Sequence, residues 1–342
     1  MAKKPTIAEI REYLEEFNPL GLKGASIDLI SVHNHLHYRL GKAGKIYCLR
    51  MVNPESHRAG EWLTIPEEYV VLHHLKFIGL GPIPYFVDPE RFRLPLFIQE
   101  FVSGVICFND LKPLNKEHLK ATAEAIALLN SRNIDPIRFP FRKGFTRYSY
   151  LTSLKTWEER LKTIKEIISW NKESDVLEWV SKLEEIVNRA KPILEGFEPL
   201  LRETGSLFNF DGAHCGNTYW REKSGRVVFL DWQKVSYGDP SFTLARFLTS
   251  AGKDGEIPTG AKELMVESYI QTPHFRQIAD DHCRKLKGHF RKLVDQRLFE
   301  RQIADLIWVV WHYVEKGGSE AVEGATSVSV RYARVLKLLE QY

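Results

Sequence analysis

Apolar residues along this chain change their spacing after roughly its first third, which divides the chain into a strand-rich part and a helical part. Within the first part, helical spacing occurs twice, over residues 6–17 and 66–79. Thr6 stands as a cap before the first of these segments, and Thr64 with Pro66 indicates the start of the second. The pattern therefore predicts two helices in the strand-rich part.

The strands of the first part are predicted from short β-type runs of apolar residues. These runs cover residues 26–40, 45–52, 83–87 and 96–102. Gly41 and Gly44 lie between the first two runs and predict a hairpin turn there. A small sheet accompanied by helices is the expected product of this part of the chain.

The chain becomes helical in character after Ser103–Gly104. Its predicted helical segments are 115–132, 174–194 and the region from residue 241 onward. A β-hairpin over 207–232 interrupts them. Strands first and helices afterwards predict an α+β fold, with a small sheet-plus-helix lobe at 1–103 and a larger, mainly helical lobe at 104–342.

Composition narrows the class of protein without deciding it. With 342 residues, 44% of them apolar and 12% aromatic, the chain can build substantial cores and is long for one lobe. Its net charge of +4 carries no signature of nucleic-acid or membrane binding. Four scattered cysteines without a CxxC pair argue against a disulfide framework or a zinc finger. Because no apolar signal core or membrane span is found, we expect a cytoplasmic protein.

Candidate chemistry is concentrated in the predicted hairpin region. Asp211 and Asn217 lie on a short polar loop, and Asp231 follows the apolar run 227–230. Mg²⁺ prefers oxygen ligands and keeps several waters, so one carboxylate, one amide and substrate phosphates suffice to hold it. With Asn217 and Asp231 as metal ligands, Asp211 is free to orient or deprotonate an alcohol, as phosphoryl transfer requires. The segment therefore indicates a kinase active site.

At these residues the chain resembles the aminoglycoside phosphotransferase/choline kinase-like family, small-molecule relatives of the protein kinases. That family's catalytic loop reads roughly His-Gly-Asp-x-His-x-Gly-Asn, and its metal strand ends Ile-Asp-Trp before a Gly-Asp-Pro. The corresponding stretches here are 209–211, 214–217, 230–232 and 238–240, of which the last three agree closely. The resemblance implies that Asp211 is the catalytic acid and that Asp239 supports the loop.

The chain departs from the family pattern at three places. Asn209 replaces the first His, and Thr243 replaces the Asp of the usual Asp-Leu-Ala. Asn217 follows Asp211 by six residues, where the family has five. A one-residue insertion in the loop accommodates this spacing; without one, Gly212 occupies the catalytic position and the protein is a dead kinase.

The resemblance extends into the strand-rich part. It implies that Arg50 holds the nucleotide phosphates and pairs with Glu68, although the two residues could equally be a strand-surface and a helix-surface charge. Residues 99–101 (Gln99, Glu100 and Phe101) resemble the segment between lobes whose backbone binds the base. Asn34 matches the family's loop that covers the phosphates, but this stretch lacks the family's glycine, so its backbone would approach phosphates less freely.

Three histidines in the same loop region could serve a different purpose. His33, His35 and His37 alternate, so on a strand they project from one face. A metal site is one interpretation, but no Cys, Asp or Glu nearby completes a ligand set. We prefer histidines that face solvent or nucleotide. Cys215 lies in the catalytic loop, where thiol chemistry would need a partner base.

Taken with the resemblance, these residues imply a bilobal protein-kinase-like fold and an Mg²⁺-dependent enzyme. The predicted reaction moves the γ-phosphoryl group of ATP or GTP to a hydroxyl of a small molecule. The alternative is a catalytically silent pseudokinase that acts as a nucleotide-binding or scaffold module. The acceptor and the oligomeric state do not follow from the sequence, because many functions share one fold.

Overall fold

A computed structural model describes residues 3–56, 63–132, 146–147, 149–170, 174–204, 207–281, 285–315 and 325–342. The described residues form two compact units. The first contains the chain up to Asp110 and Gly216–Val235, and the second contains Thr146–Cys215, Ser236–Tyr342 and the segment that begins at Leu111. The segment with Asn217 and Asp231 therefore clusters with the N-terminal part. A lobe boundary after residue 103 stays a prediction.

The strand-rich region precedes the helical region, as predicted. The strands are β1 (Ser26–Val32), β2 (His35–Lys42), β3 (Lys45–Val52), β4 (Pro84–Asp88), β5 (Leu96–Glu100), β6 (Ile106–Cys107), β7 (Thr146–Arg147), β8 (Leu207–Phe210), β9 (Thr218–Arg221), β10 (Arg226–Phe229) and β11 (Val235–Gly238). The α-helices are α1 (Ile7–Phe17), α2 (Ile65–Leu75), α3 (Lys116–Asn130), α4 (Tyr150–Trp170), α5 (Ser174–Glu203), α6 (Ser241–Ala251), α7 (Ala261–Gln271), α8 (Pro273–Asp281), α9 (Leu286–Glu315) and α10 (Ala325–Leu339).

The first unit is built on a five-stranded antiparallel sheet in the order β1-β2-β3-β5-β4. The hairpin between β2 and β3 turns through Ala43 and Gly44, which both have a positive φ. The hairpin turn therefore lies where its glycines predict it. The run 26–40, predicted as one β-type segment, is divided at His33–Asn34 into β1 and β2. A second sheet, of order β10-β9-β6, contains the predicted downstream hairpin.

Both helices of the first unit begin with a capping box. Thr6 and Glu9 exchange hydrogen bonds at the start of α1, and Thr64 and Glu67 do the same at α2. The apolar face of α1 packs with the sheet into one core. The second helix ends at Leu75 rather than at the predicted residue 79, because the chain turns toward Gly79, whose φ is +69°.

Long helices form the core of the second unit. Buried side chains of α4, α5, α9 and α10 pack into one cluster. The first of these helices was not predicted, and α5 continues to Glu203 through Pro192 and Pro199, beyond the predicted end at residue 194. Strands β7, β11 and β8 form a three-stranded sheet. None of the described helices is long and apolar enough to cross a membrane.

Candidate active site

Seven of the nine residues predicted for the site line one cleft of about 480 Å³ in the first unit. They are Asn34, Arg50, Gln99, Glu100, Phe101, Asn217 and Asp231. Glu68 lies directly behind this cleft in contact with Arg50. Asp211 belongs to the second unit.

Arg50 and Glu68 form a buried ion pair, as the resemblance implied. Arg50 lies on β3 and Glu68 in the first turn of α2, with 3.1 Å between Nε and Oε2. Their side chains are 3% and 2% exposed. Glu68 also accepts a hydrogen bond of 3.1 Å at Oε1 from the backbone N–H of Trp232. This carboxylate therefore connects the arginine with the strand end that carries Asp231, a link that the sequence did not indicate.

Asp231 occupies a strained position directly after the strand β10 and Leu230. Its φ of 65° lies in the left-handed region, which costs free energy for a residue with a Cβ and is frequent at functional sites. The carboxylate accepts hydrogen bonds from Arg50 Nη2 at 2.5 Å and from Gln233 Nε2 at 3.0 Å. Loss of water raises the pKa of Asp231, but the charge of Arg50 outweighs this effect and lowers the pKa to about 2. The group is therefore an anion at neutral pH.

The two asparagines of the cleft lie in hydrogen-bonded turns. The backbone carbonyl of Asn217 accepts a bond of 2.9 Å from the N–H of Leu230, which ties the polar loop to the strand that leads to Asp231. Asn34 accepts a bond of 2.9 Å at Oδ1 from the hydroxyl of Ser56. The backbone of Asn217 is thereby bonded to the residue that precedes Asp231, whereas Asn34 uses its amide oxygen to stabilise the loop.

The far wall of the cleft is the end of β5. The N–H of Glu100 donates to the carbonyl of Ile83 at 2.8 Å, and the Glu100 carboxylate accepts from the N–H of Ile83 at 3.2 Å. Gln99 is 7% exposed, and its Oε1 has no hydrogen-bond partner among the residues that the structure describes. A buried acceptor without a partner is costly, so a ligand N–H in the cleft would satisfy it.

The donor set of the cleft fits a hard divalent cation. Asp231 supplies an anionic carboxylate, and Asn217, which lines the same cleft, supplies an amide oxygen. In contrast, no group of three His, Cys, Asp or Glu side chains within the described ranges is arranged to hold a metal ion. Two of the three loop histidines, His35 and His37, contact the guanidinium of Arg50.

In the second unit, Asp211 follows β8 directly and starts the turn that forms the polar loop. Its Oδ1 accepts a hydrogen bond of 2.5 Å from the hydroxyl of Ser236 on β11. The turn is closed by bonds from Ala213 N–H to the Phe210 carbonyl and from His214 N–H to the Gly212 carbonyl. The carboxylate at this strand end is thus held in place by a neighbouring strand.

Two of the departures from the family pattern contact each other. The hydroxyl of Thr243 donates to Asn209 Oδ1 at 2.9 Å and accepts from the N–H of Phe210 at 3.1 Å. Asn209 also donates through Nδ2 to the carbonyl of Asp239 at 3.1 Å. On the other side, Asn130 of α3 donates to Asn209 Oδ1 at 3.2 Å. The two replacements are therefore complementary and belong to one buried network next to the loop that starts at Asp211.

We expect Asn209→Ala and Thr243→Ala each to lower the free energy of unfolding by about 1–3 kcal/mol, since each leaves a buried polar partner unsatisfied. The double variant should lose clearly less than the sum of the single losses, because both changes break one network. Urea denaturation checks this. As a control, Asn209→Ala combined with Thr156→Ala, whose hydroxyl donates to the Thr152 carbonyl within α4, should be additive. Additivity in the first pair would contradict the coupling.

Asp239 is fully buried and holds its own loop, in agreement with the role that the resemblance implied. Its Oδ1 accepts from the N–H of Ser241 at 3.0 Å and from the Ser241 hydroxyl. Its Oδ2 accepts from Arg297 Nε of α9 at 2.6 Å, and both side chains are 0% exposed. The Arg297 guanidinium also lies 4.2 Å from the ring centre of Tyr150. Asp239 is thus a structural residue of the second unit.

Sequence reasoning missed several residues that contact the predicted ones. Gln233, Ser236 and Arg297 were not singled out, and the contacts of His35 and His37 with Arg50 were not foreseen. A signal existed for Arg297, which interrupts the apolar stripe of α9 four residues after Leu293. No local sequence pattern indicates the contacts of Gln233, Ser236, His35 or His37.

Comparisons with known proteins agree with this geometry. The family model of the phosphotransferase enzyme family matches residues 32–274, which is more than half of the chain. A comparison with curated proteins finds no significant match.

Solved structures of similar fold include three phosphotransferases. The choline kinase LicA of Streptococcus pneumoniae has a TM-score of 0.61 at 15% identity, over 97% of this chain and 98% of that one. An ethanolamine kinase of Plasmodium vivax has a TM-score of 0.66 at 12% identity, over 95% and 86%. A spectinomycin phosphotransferase, solved with ADP and spectinomycin, has a TM-score of 0.58 at 13% identity, over 99% and 100%.

These likenesses confirm the predicted α+β, protein-kinase-like fold, because each covers nearly the whole chain. The family match includes the strand with Arg50, the cleft residues Asn217 and Asp231, and the loop with Asp211. The chain therefore belongs to the phosphotransferase enzyme family.

Proposed function

We propose that this protein transfers the γ-phosphoryl group of ATP or GTP to a hydroxyl of a small molecule in an Mg²⁺-dependent reaction. The observation that carries the proposal is the cleft of the first unit, which combines Arg50, Asn217 and Asp231 with the end of β5. A nucleotide site needs a positive charge for the phosphates, oxygen ligands for a metal ion and a strand end that can bind the nucleotide base.

The reaction divides the work between two sets of residues. Asp211 would accept the proton of the acceptor hydroxyl while the new bond forms between the acceptor oxygen and the γ-phosphorus. The bond from that phosphorus to its bridging oxygen breaks, and the nucleoside diphosphate leaves. A bound Mg²⁺, held by Asn217 and Asp231, would supply positive charge that offsets the phosphate charge. The Ser236 hydroxyl would keep Asp211 oriented, since it already donates to Oδ1.

Arg50 would bind phosphate oxygens, and its present partners support this role. Its Nε is held by Glu68, so the planar guanidinium has a fixed orientation. Its Nη2 contacts the carboxylate of Asp231. When Asp231 coordinates a cation, its carboxylate would give up the contact with Nη2 of Arg50. Nη2 would then be available to donate a hydrogen bond to a phosphate oxygen.

The acceptor class is proposed from the structural neighbours. The named neighbours act on choline, ethanolamine and spectinomycin, which are all small molecules. We therefore propose a small amino alcohol or aminocyclitol as acceptor. The catalytically silent alternative is not favoured, because Asp211 follows β8 directly and the replacements at Asn209 and Thr243 complement each other.

We expect calorimetry to detect nucleotide binding that strengthens at least tenfold, about 1.4 kcal/mol, when Mg²⁺ is added. Asp231→Asn should abolish this metal dependence, since it removes the anionic ligand and leaves only neutral oxygens. Asp254→Asn, at an acid of the second unit outside the cleft, is the control and should bind as the wild type does. A screen of phosphate transfer from ATP and GTP to small amino alcohols and aminocyclitols then identifies the acceptor.

Failure of both ATP and GTP to bind in a metal-dependent manner would contradict the proposed function. Metal-dependent binding without transfer to any acceptor in the presence of intact Asp211 would instead favour the scaffold alternative. The two measurements therefore separate the nucleotide site from the catalytic activity.

A further inference from the structure

The guanidinium of Arg50 is surrounded by four side chains. Besides the contacts with Glu68 and Asp231, Nη1 lies 3.2 Å from His37 Nε2 and Nη2 lies 3.3 Å from His35 Nδ1. The two imidazole rings lie 6.4 Å apart on the strand β2, on the same face of the sheet. Both histidines also line the cleft.

These contacts determine which nitrogen of each ring carries the proton. An arginine only donates hydrogen bonds, so His37 Nε2 and His35 Nδ1 must accept. Each neutral ring then has its proton on the other nitrogen, at Nδ1 of His37 and at Nε2 of His35. Burial, followed by the positive charge of Arg50, lowers the pKa of both histidines far below its usual value, which agrees with neutral rings.

The loop that precedes these histidines is poorly suited to bind phosphate through its backbone. It contains no glycine, and its turn is closed by internal hydrogen bonds. The N–H of His33 donates to the carbonyl of His35 at 3.1 Å. Asn53 donates through its backbone to the carbonyl of Asn34 at 3.0 Å and through Nδ2 to the carbonyl of His33 at 2.6 Å. These hydrogen bonds hold the turn together, and the N–H of His33 already donates to a carbonyl within it.

We propose that His35 and His37 are phosphate-binding residues, whose ring N–H groups donate to the phosphates of the nucleotide in place of glycine-rich backbone amides. The inference rests on the proposed function, because it takes the ligand of the cleft to be a nucleoside triphosphate. The two rings flank Arg50 and line the same cleft, so the arginine and both imidazoles border one region of it. Hydrogen bonds from neutral donors to charged phosphate oxygens are among the stronger ones in proteins.

A crossed set of variants distinguishes phosphate binding from mere orientation of Arg50. Asparagine places its amide where histidine has Nδ1, and glutamine places it where histidine has Nε2. His37→Asn and His35→Gln therefore keep an amide at the donor position. His37→Gln and His35→Asn keep one only at the position that accepts from Arg50.

We expect His37→Gln and His35→Asn to weaken Mg²⁺-ATP binding by about tenfold or more in calorimetry, whereas His37→Asn and His35→Gln lose clearly less. ADP should show a smaller loss, and adenosine, which has no phosphate, should bind all variants alike. His73→Gln is the matched control, since His73 is an exposed histidine of α2 in the same unit and does not line the cleft. It should bind Mg²⁺-ATP within about twofold of the wild type.

The opposite order of losses, with the donor-keeping variants the weaker binders, would overturn the proposal and leave the histidines as positioning residues for Arg50. Equal losses for ATP and adenosine, or no loss in any variant, would overturn it as well. In all these cases the wild type still binds Mg²⁺-ATP and the proposed function stands. A wild type that binds no nucleotide overturns both. Thermal unfolding of each variant confirms that it is folded before binding is compared.

Discussion

Asp211→Asn should lower kcat for phosphoryl transfer by about 10²–10⁴-fold, the usual contribution of a positioned general base. The asparagine keeps the size of the side chain and an oxygen that can accept the hydrogen bond from Ser236. The Kd of Mg²⁺-nucleotide should stay within a few-fold of the wild type, because Asp211 is not among the residues that line the nucleotide cleft. Steady-state transfer assays and calorimetry on the same preparation check both values.

Two further variants sharpen this expectation. Asp231→Asn should lose both turnover and metal-dependent binding, since a metal ligand acts in the ground state and the transition state alike. Ser236→Ala removes only the bond that orients Asp211, so we expect a loss of turnover smaller than that of Asp211→Asn. If Asp211→Asn turned over at close to the wild-type rate, the loop would have no one-residue insertion and Asp211 would not be the catalytic base.

Arg297→Met should lower the free energy of unfolding of the second unit by about 3–5 kcal/mol, because it leaves the buried carboxylates of Asp239 and Glu300 without their cation. The side chains of all three residues are at most 2% exposed. Methionine has a similar length and no charge, so the lost ion pair, more than a cavity, accounts for the change. Urea denaturation monitored by tryptophan fluorescence gives the free energy.

The matched control is Lys287→Met on the same helix. Lys287 forms an exposed pair with Asp280 at 2.6 Å, and exposed pairs contribute only about 0–1 kcal/mol. The variant Arg297→Met/Asp239→Asn should lose less than the sum of its single losses, because both changes act on one ion pair. If Arg297→Met were as stable as Lys287→Met, the buried pair would have no structural role and Asp239 would need another explanation.

Much of the secondary structure could be predicted because its signals are local. The capping boxes at Thr6 and Thr64 lie within one turn of the helices that they start. The turn at Ala43–Gly44 needs a positive φ, which glycine supplies at little cost. Where packing decides, prediction was weaker: α5 continues through its prolines because its buried face keeps contact with the core beyond residue 194.

The principal site residues were also predictable, but for another reason. Arg50 and Asp231 lie 181 residues apart, and no periodicity in the chain brings them together. Asp231 was selected because it follows an apolar run beside a polar loop, and Arg50 because a short motif resembles the family's strand. The individual roles of these residues stay proposals that the variants above test.

The amino-acid sequence determined the local elements, the family motifs and the order of strands before helices, because caps, turns and periodicity act within a few residues. Tertiary structure alone decided that Gly216–Val235 clusters with the N-terminal sheet and that His35 and His37 contact Arg50. Those facts depend on strand pairing and on the burial of charged groups, which bring polar side chains together with partners from distant parts of the chain.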